Sequence, residues 1–248
     1  MSGVICFAHR GASGHEPENT LIAMEKAISM GVDWIELDVR VVDDELIVIH
    51  DDRLERTTNG AGCVHEHSLE YLRSLDAGKG QRIPLLRETF DLINKRAGLN
   101  IELKGTGTAG PTVELIRHYI RNRGWKYDEF IVSSFDHHAL VTVKQIDPAV
   151  RTGALVVGIP LGYARFAQEL KADSVHCSLD FINDAFVHDA HARGLNVYVF
   201  TINNREDLDR VVTMGVDGVF TNFPEIVVTV DGNDTSPRVT KGLRQQEP

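Results

Sequence analysis

With 36 acidic against 26 basic residues among 248, the chain carries a formal net charge of −10, which disfavours non-specific binding to nucleic acid or to anionic membranes. Hydrophobic residues make up 42% and charged residues 25%, so a core large enough for one α/β domain can be buried. Cys6, Cys63 and Cys177 lack C-x-x-C spacing, the first residues have neither a basic region nor a long apolar run, and no stretch approaches a membrane span; the expectation is a reduced, cytoplasmic protein with no stable membrane insertion.

In chain order, residues 4–8 read as a short buried strand that ends at His9-Arg10-Gly11. Residues 20–30 follow as a helix with Leu21, Met24, Ala27 and Ile28 on one face; Asn19 is the expected N-cap, and Gly31 the stop. Residues 34–39 form the second strand, carrying Glu36 and Asp38, and the apolar run 46–49 beside it ends at His50-Asp51. From 51 to about 82 the chain turns polar, with a turn cluster at 57–62 and one short helix at 68–75. That stretch is too long for a strand–helix loop and too small for a domain, and is read as an insertion over the mouth of the fold.

Residues 99–103 form the third strand, bearing Glu102 with Lys104 just beyond it. A helix at 111–122 starts on Pro111 and is followed by Gly124. Strands are then expected at 130–133, 151–155, 174–177, 196–200 and 218–220, with helices at 182–193 and 205–214, each ended by a glycine. Eight short strands alternating with helices favour a (β/α)8 TIM barrel over an open doubly wound sheet. Residues 1–230 then make one barrel domain, with 231–248 as a polar tail.

Strand alternation puts Glu36 and Asp38 on one face, and likewise Glu102 and Lys104. Adjacent carboxylates repel unless a cation, a shared proton or a basic side chain holds them. Glu36, Asp38 and Glu102 together suit one hard divalent cation, Mg2+ or Ca2+. Arg10 offers a planar fork for phosphate or carboxylate, and Lys104 a point charge for an anionic oxygen. His9 and His50 both end apolar runs and are candidates for acid–base work near neutral pH. His176, Ser133, Thr201, Asn203 and Asn222 occupy comparable strand ends and are candidates to contact substrate, whereas His65, His67, His137, His138, His188 and His191 read as solvated.

These residues resemble the glycerophosphodiester phosphodiesterases, in the bacterial cytoplasmic form. The likeness runs through His9-Arg10-Gly11, Pro17-Glu18-Asn19-Thr20, Glu36-Leu37-Asp38-Val39, His50-Asp51-Asp52, Leu54-Glu55-Arg56-Thr57-Thr58-Asn59-Gly60 and Glu102-Leu103-Lys104, and ends with Phe200-Thr201-Ile202-Asn203 and Gly215 to Pro224. It implies a barrel with an insertion after the second strand, metal ligation by Glu36, Asp38 and Glu102, acid–base roles for His9 and His50, and phosphate contacts from Arg10 and Lys104. It also implies metal-dependent release of sn-glycerol 3-phosphate and an alcohol from a small glycerophosphodiester, with Glu18 supporting the pocket. Phe200 stands where many members carry tryptophan, bearing on how glycerol packs, and Asn222 where aspartate is common. The alternatives are a lysophospholipase D-like activity on lipids that keep an acyl chain, and a catalytically silent binding protein. The former needs an apolar rim, and the insertion offers only scattered Leu54, Leu69, Tyr71, Leu72 and Leu75. Homo-oligomerisation is left open.

Overall fold

The computed structural model describes residues 3–228, so the expected tail from Asp231 lies outside the described residues. Among the described residues nine strands occur, in the order β1 (Ile5–Ala8), β2 (Trp34–Val42), β3 (Glu45–Val48), β4 (Gly98–Leu103), β5 (Phe130–Ser134), β6 (Thr152–Val156), β7 (Ser174–Ser178), β8 (Asn196–Phe200) and β9 (Gly218–Thr221). Eight of them pair in parallel, and β1 pairs with both β9 and β2, so the sheet closes into a barrel. These are the eight expected strands, with ends shifted by a few residues. The ninth, β3, is antiparallel to the overlong end of β2 and lies outside the ring. Its run of apolar residues is short enough to satisfy either a strand or a buried loop, which is why periodicity alone left it unassigned.

The connecting helices are α1 (Leu21–Ser29), α2 (Leu69–Ser74), α3 (Leu86–Ile93), α4 (Ala109–Arg123), α5 (His137–Ile146), α6 (Arg165–Glu169), α7 (Asp184–Ala192) and α8 (Arg205–Thr213). The N-cap of α1 is Thr20, whose Oγ1 accepts from the Ala23 N–H, rather than the expected Asn19. Asn19 has φ of 59° and turns its amide into the barrel instead. Gly124 closes α4 in the left-handed conformation, as its sequence position implied.

Two apolar belts between helices and strands hold the outside of the barrel. Inside, Ile5, Phe7, Trp34, Ile131, Tyr198 and Phe220 plug the N-terminal half. This packing needs small residues on the neighbouring strands. A methyl group on Gly98 would come within 2.6 Å of the Trp34 ring, and one on Gly153 within 2.2 Å of His176 Nε2. The plug leaves the C-terminal half of the interior to polar side chains. Residues 51–85 carry their own apolar cluster, with Leu54, Val64, Leu72, Leu75 and Ile83 packed on Ile47 and Ile49 of the β3 hairpin.

Gly153→Ala should therefore overpack the interior and lower the unfolding free energy by about 1–3 kcal/mol. Urea denaturation would show this; an unchanged midpoint would mean that His176 can move away without cost.

Candidate active site

β2 and β4 run side by side in a register that sets Glu36 opposite Asn100 and Asp38 opposite Glu102. All four side chains face the barrel interior and are buried. One oxygen from each of Glu36, Asp38 and Glu102 lies within 4.8 Å of the others. Burial, reinforced by Asp38 and Glu102, pushes the Glu36 carboxyl well above its usual range. Burial and Asp38 push Glu102 up to about 7. Asp38 moves the other way: burial opposes ionisation, but Lys104 and Arg10 hold it below the ordinary value. Three crowded, buried carboxylates therefore ask for positive charge, and only part of it is supplied by the chain.

Lys104 bonds to Glu102 and stands 3.4 Å from Asp38 Oδ1, while Arg10 Nε stands 3.3 Å from Asp38 Oδ2. Even so, Glu36 Oε1 and Asp38 Oδ1 are buried without a hydrogen bond. Two orphaned carboxylate oxygens and an all-oxygen donor set fit a hard divalent cation. Asn19 locks the geometry from beneath: its Nδ2 donates to Asp38 Oδ2 at 2.8 Å, and its Oδ1 accepts from the Asp38 N–H at 3.2 Å.

His9 and His50 reach the same space from two directions. His9 follows β1, and its Nδ1 lies 2.7 Å from Asn222 Oδ1, at the end of β9. Ser13 Oγ adjoins this contact, 3.1 Å from the same oxygen. The other ring nitrogen, Nε2, stands 4.0 Å from Glu36. Burial, then Arg10, depresses its pKa to about 4. His50 is carried in by the β3 hairpin, because the Ile49 N–H bonds to the Asp38 carbonyl and the Arg40 guanidinium to the His50 carbonyl. Its Nδ1 donates to Asp51 Oδ1 at 2.6 Å, and burial lowers its pKa against the pull of Asp38 and Asp51. One histidine thus leans on a neutral amide and the other on a carboxylate.

A cavity of about 250 Å3 opens above the aromatic plug. Among the residues singled out from sequence, His9, Arg10, Glu36, His50, Glu102, Lys104, His176 and Phe200 line it, and Asp38 lies just beneath. His176 is fully buried, bonded to Ser174 and packed against Tyr198 and Phe220. Burial depresses it to about 3, which keeps it neutral. Ser133 and Thr201 also line the cavity, whereas Asn203 and Asn222 sit behind it, Asn203 Oδ1 accepting the Asn222 N–H. His65, His138 and His188 are exposed as expected. His67 is bonded to the Ala61 carbonyl, His137 is bonded to the Leu155 carbonyl of β6 and stacks on Phe166 of α6, and His191 pairs with Asp217, so these three are only half-exposed.

Sequence reasoning overlooked four contributors. Asn100 sits two residues before Glu102 on the same strand face, a signal that was available. Asn19 read as a helix cap. Phe135 lies on the loop after β5, beneath the Lys104 ammonium at 5.7 Å and edge-on to Phe200. Arg56, on the insertion, bonds to both Glu18 and Asp51. Nothing in its local sequence says which carboxylates it meets.

Residues 9–226 match the Glycerophosphoryl diester phosphodiesterase family. A glycerophosphodiester phosphodiesterase of Caldanaerobacter subterraneus is 36% identical over 238 residues, covering 91% of this chain and 97% of the relative. One from Bacillus subtilis is 35% identical over 248 residues, covering 90% and 85%. The fold superposes with a TM-score of 0.83 on an Oleispira antarctica phosphodiesterase solved in complex with the product sn-glycerol-3-phosphate, at 33% identity over 91% of this chain and 95% of that one.

If the carboxylate cluster takes a cation, calorimetric titration with Ca2+ or Mg2+ should show one site per chain. Glu102→Gln should weaken it by more than about tenfold. Equal affinity in the two proteins would remove Glu102 from the ligand set.

Proposed function

The chain belongs to the glycerophosphoryl diester phosphodiesterase family, a family of phosphoric diester hydrolases, and on that footing we propose that it hydrolyses small glycerophosphodiesters to sn-glycerol 3-phosphate and an alcohol. The observation that carries the reading is the convergence of two histidines, two cationic side chains and three carboxylates on one cavity at the C-terminal end of the barrel. Residues 1–230 act as one catalytic domain in this reading, and the unpaired Cys6, Cys63 and Cys177 are consistent with a reducing, cytoplasmic setting.

Glu36, Asp38 and Glu102 would hold one Mg2+ or Ca2+, which when bound supplies Lewis-acid neutralisation of the phosphate. Arg10 and Lys104 bind the non-bridging phosphate oxygens and stabilise charge that builds on them in the transition state. Phe200, Phe135 and Leu155 give the glycerol carbons an apolar wall, and His176 forms part of the floor.

The partners of the histidines support a division of labour. With Nδ1 turned to Asn222 Oδ1, His9 presents an unprotonated Nε2 to the cavity and accepts the proton of the attacking oxygen, from water or from the substrate's own glycerol hydroxyl, as that oxygen bonds to phosphorus. In the second case water then opens the cyclic phosphate to give sn-glycerol 3-phosphate. Asp51, turned to Nδ1 of His50, stabilises an imidazolium, so His50 Nε2 donates to the leaving alcohol oxygen. The oxygen–phosphorus bond to that alcohol breaks as the proton arrives.

A second substrate class is supported by a different observation. The insertion's Leu54, Leu72 and Leu75 are buried and form no rim, but Phe135, Val157, Ile159 and Leu161, after β5 and β6, are exposed, Leu161 completely. Phe135 and Leu155 join this apolar lip to the cavity wall. A patch of that kind at a pocket mouth suits an acyl chain on the glycerol.

His9→Ala should lower turnover of glycerophosphocholine by about 10²–10⁴-fold. His50→Ala should do the same, yet cost far less on a nitrophenyl phosphodiester, whose leaving group needs no proton. The reverse pattern would exchange the two roles, and near wild-type rates in both variants would end the assignment. For the lip, Leu161→Ser should reduce turnover of a lysophosphatidylcholine and spare glycerophosphocholine; equal effects on both would dismiss the acylated class.

A further inference from the structure

Arg56 is nearly half exposed, yet it joins three separate parts of the chain. Its Nη1 and Nη2 reach the two oxygens of Glu18 at 2.7 and 2.8 Å. Its Nε and Nη2 reach the two oxygens of Asp51 at 2.5 and 3.0 Å. Glu18 Oε1 also accepts from Arg10 Nη1 at 2.7 Å, and Asp51 Oδ1 from His50 Nδ1 at 2.6 Å. Opposite charges therefore alternate along a continuous path, Arg10, Glu18, Arg56 and Asp51, that ends on the imidazole of His50 at one side of the cavity mouth.

An isolated exposed ion pair contributes little, since solvent screens it and side-chain entropy opposes it. Arg56 differs in having two edges of its guanidinium, Nη1/Nη2 and Nε/Nη2, occupied by two-point contacts, which fixes orientation as well as distance. It is also anchored. Leu54 is buried in the insertion's apolar cluster, and both the Thr58 N–H and its hydroxyl bond to the Leu54 carbonyl, so the turn that carries Arg56 is built on a fixed base. By contrast, the similarly exposed Arg96 pairs with Glu25 on the outside of the barrel, remote from every residue that lines the cavity.

We infer that Arg56 is a positioning residue through which the insertion sets, at once, the phosphate-binding guanidinium of Arg10 and the ring of His50. The inference rests on the roles assigned above to Arg10 and His50. It gives the insertion a part in turnover, although the insertion supplies no ligand to the Glu36, Asp38 and Glu102 cluster and no acid–base group lining the cavity beyond Asp51. A single lysine could not replace it, because an ammonium is a point charge that cannot span two carboxylates with paired bonds.

The test is steady-state kinetics of Arg56→Ala, Arg56→Lys and the control Arg96→Ala on glycerophosphocholine and a nitrophenyl phosphodiester, alongside thermal unfolding. Arg56→Ala should lose about 10–100-fold in kcat/KM, with KM rising through Arg10 and kcat falling through His50. The kcat loss should be smaller on the nitrophenyl ester. Added guanidinium ion, kept below denaturing concentration, should restore part of the activity, and methylammonium should not. Arg56→Lys should remain impaired and Arg96→Ala should match wild type. Wild-type kinetics in Arg56→Ala would overturn the inference. So would a loss equal on both substrates, unrescued by guanidinium and matched by a fallen unfolding temperature, which would make Arg56 a structural strut. A wild-type enzyme inert on every diester would instead refute the hydrolase reading on which the inference rests.

Discussion

Three carboxylates are forced into one buried cluster by the register of two neighbouring strands, and most of the site follows from that constraint. Asp38 faces Glu102 across the β2–β4 pair, with Glu36 two residues earlier on the same face. Like charges so close would destabilise the barrel unless they were offset. The chain supplies Lys104 and Arg10 from the strand ends and an amide lock from Asn19, and still leaves two buried carboxylate oxygens unbonded. The residual demand for positive charge is what makes the cluster a candidate cation site rather than a merely repulsive one.

The rest of the barrel serves to keep that demand in place. The aromatic plug below excludes water and fills the axis, and it fits only because Gly98 and Gly153 leave room for Trp34 and His176. Above it the interior turns polar, so the depth at which the plug stops sets the floor of the cavity. On the side of β2 and β3, the insertion packs its own small apolar cluster on the hairpin and brings Arg56 to Glu18 and Asp51. Across the ring, the loops after β5 and β6 are apolar and open. The two flanks therefore offer different chemistry: charge-fixed toward His50, greasy toward Phe200.

Much of this was legible beforehand, for physical reasons that differ by residue. The strand-end residues His9, Glu36, Asp38, Glu102 and Lys104 could be placed because strand alternation converts spacing into facing, and a barrel interior tolerates clustered charge only around a function. Asn19 was misread because a polar residue before a helix caps it in most contexts, and only the approach of β2 offers its amide a better partner. β3 was missed as a strand because four apolar residues carry too little periodicity. Arg56 stood in a motif of the resemblance but without a role, and Phe135 went unmarked, because the contacts that bring them to the site, Glu18 for Arg56 and Phe200 for Phe135, are distant in sequence.

By itself, the sequence determined the alternation that makes a barrel, the reactive side chains at the ends of its strands, and the family to which they belong. Those properties are local: they depend on periodicity, on residue type and on spacing within a few residues. Only the tertiary structure decided which partner each histidine leans on, that Arg10 and His50 are joined through one guanidinium, and where the apolar lip lies. These are long-range contacts between side chains brought together by closure of the sheet, and no short-range pattern encodes them.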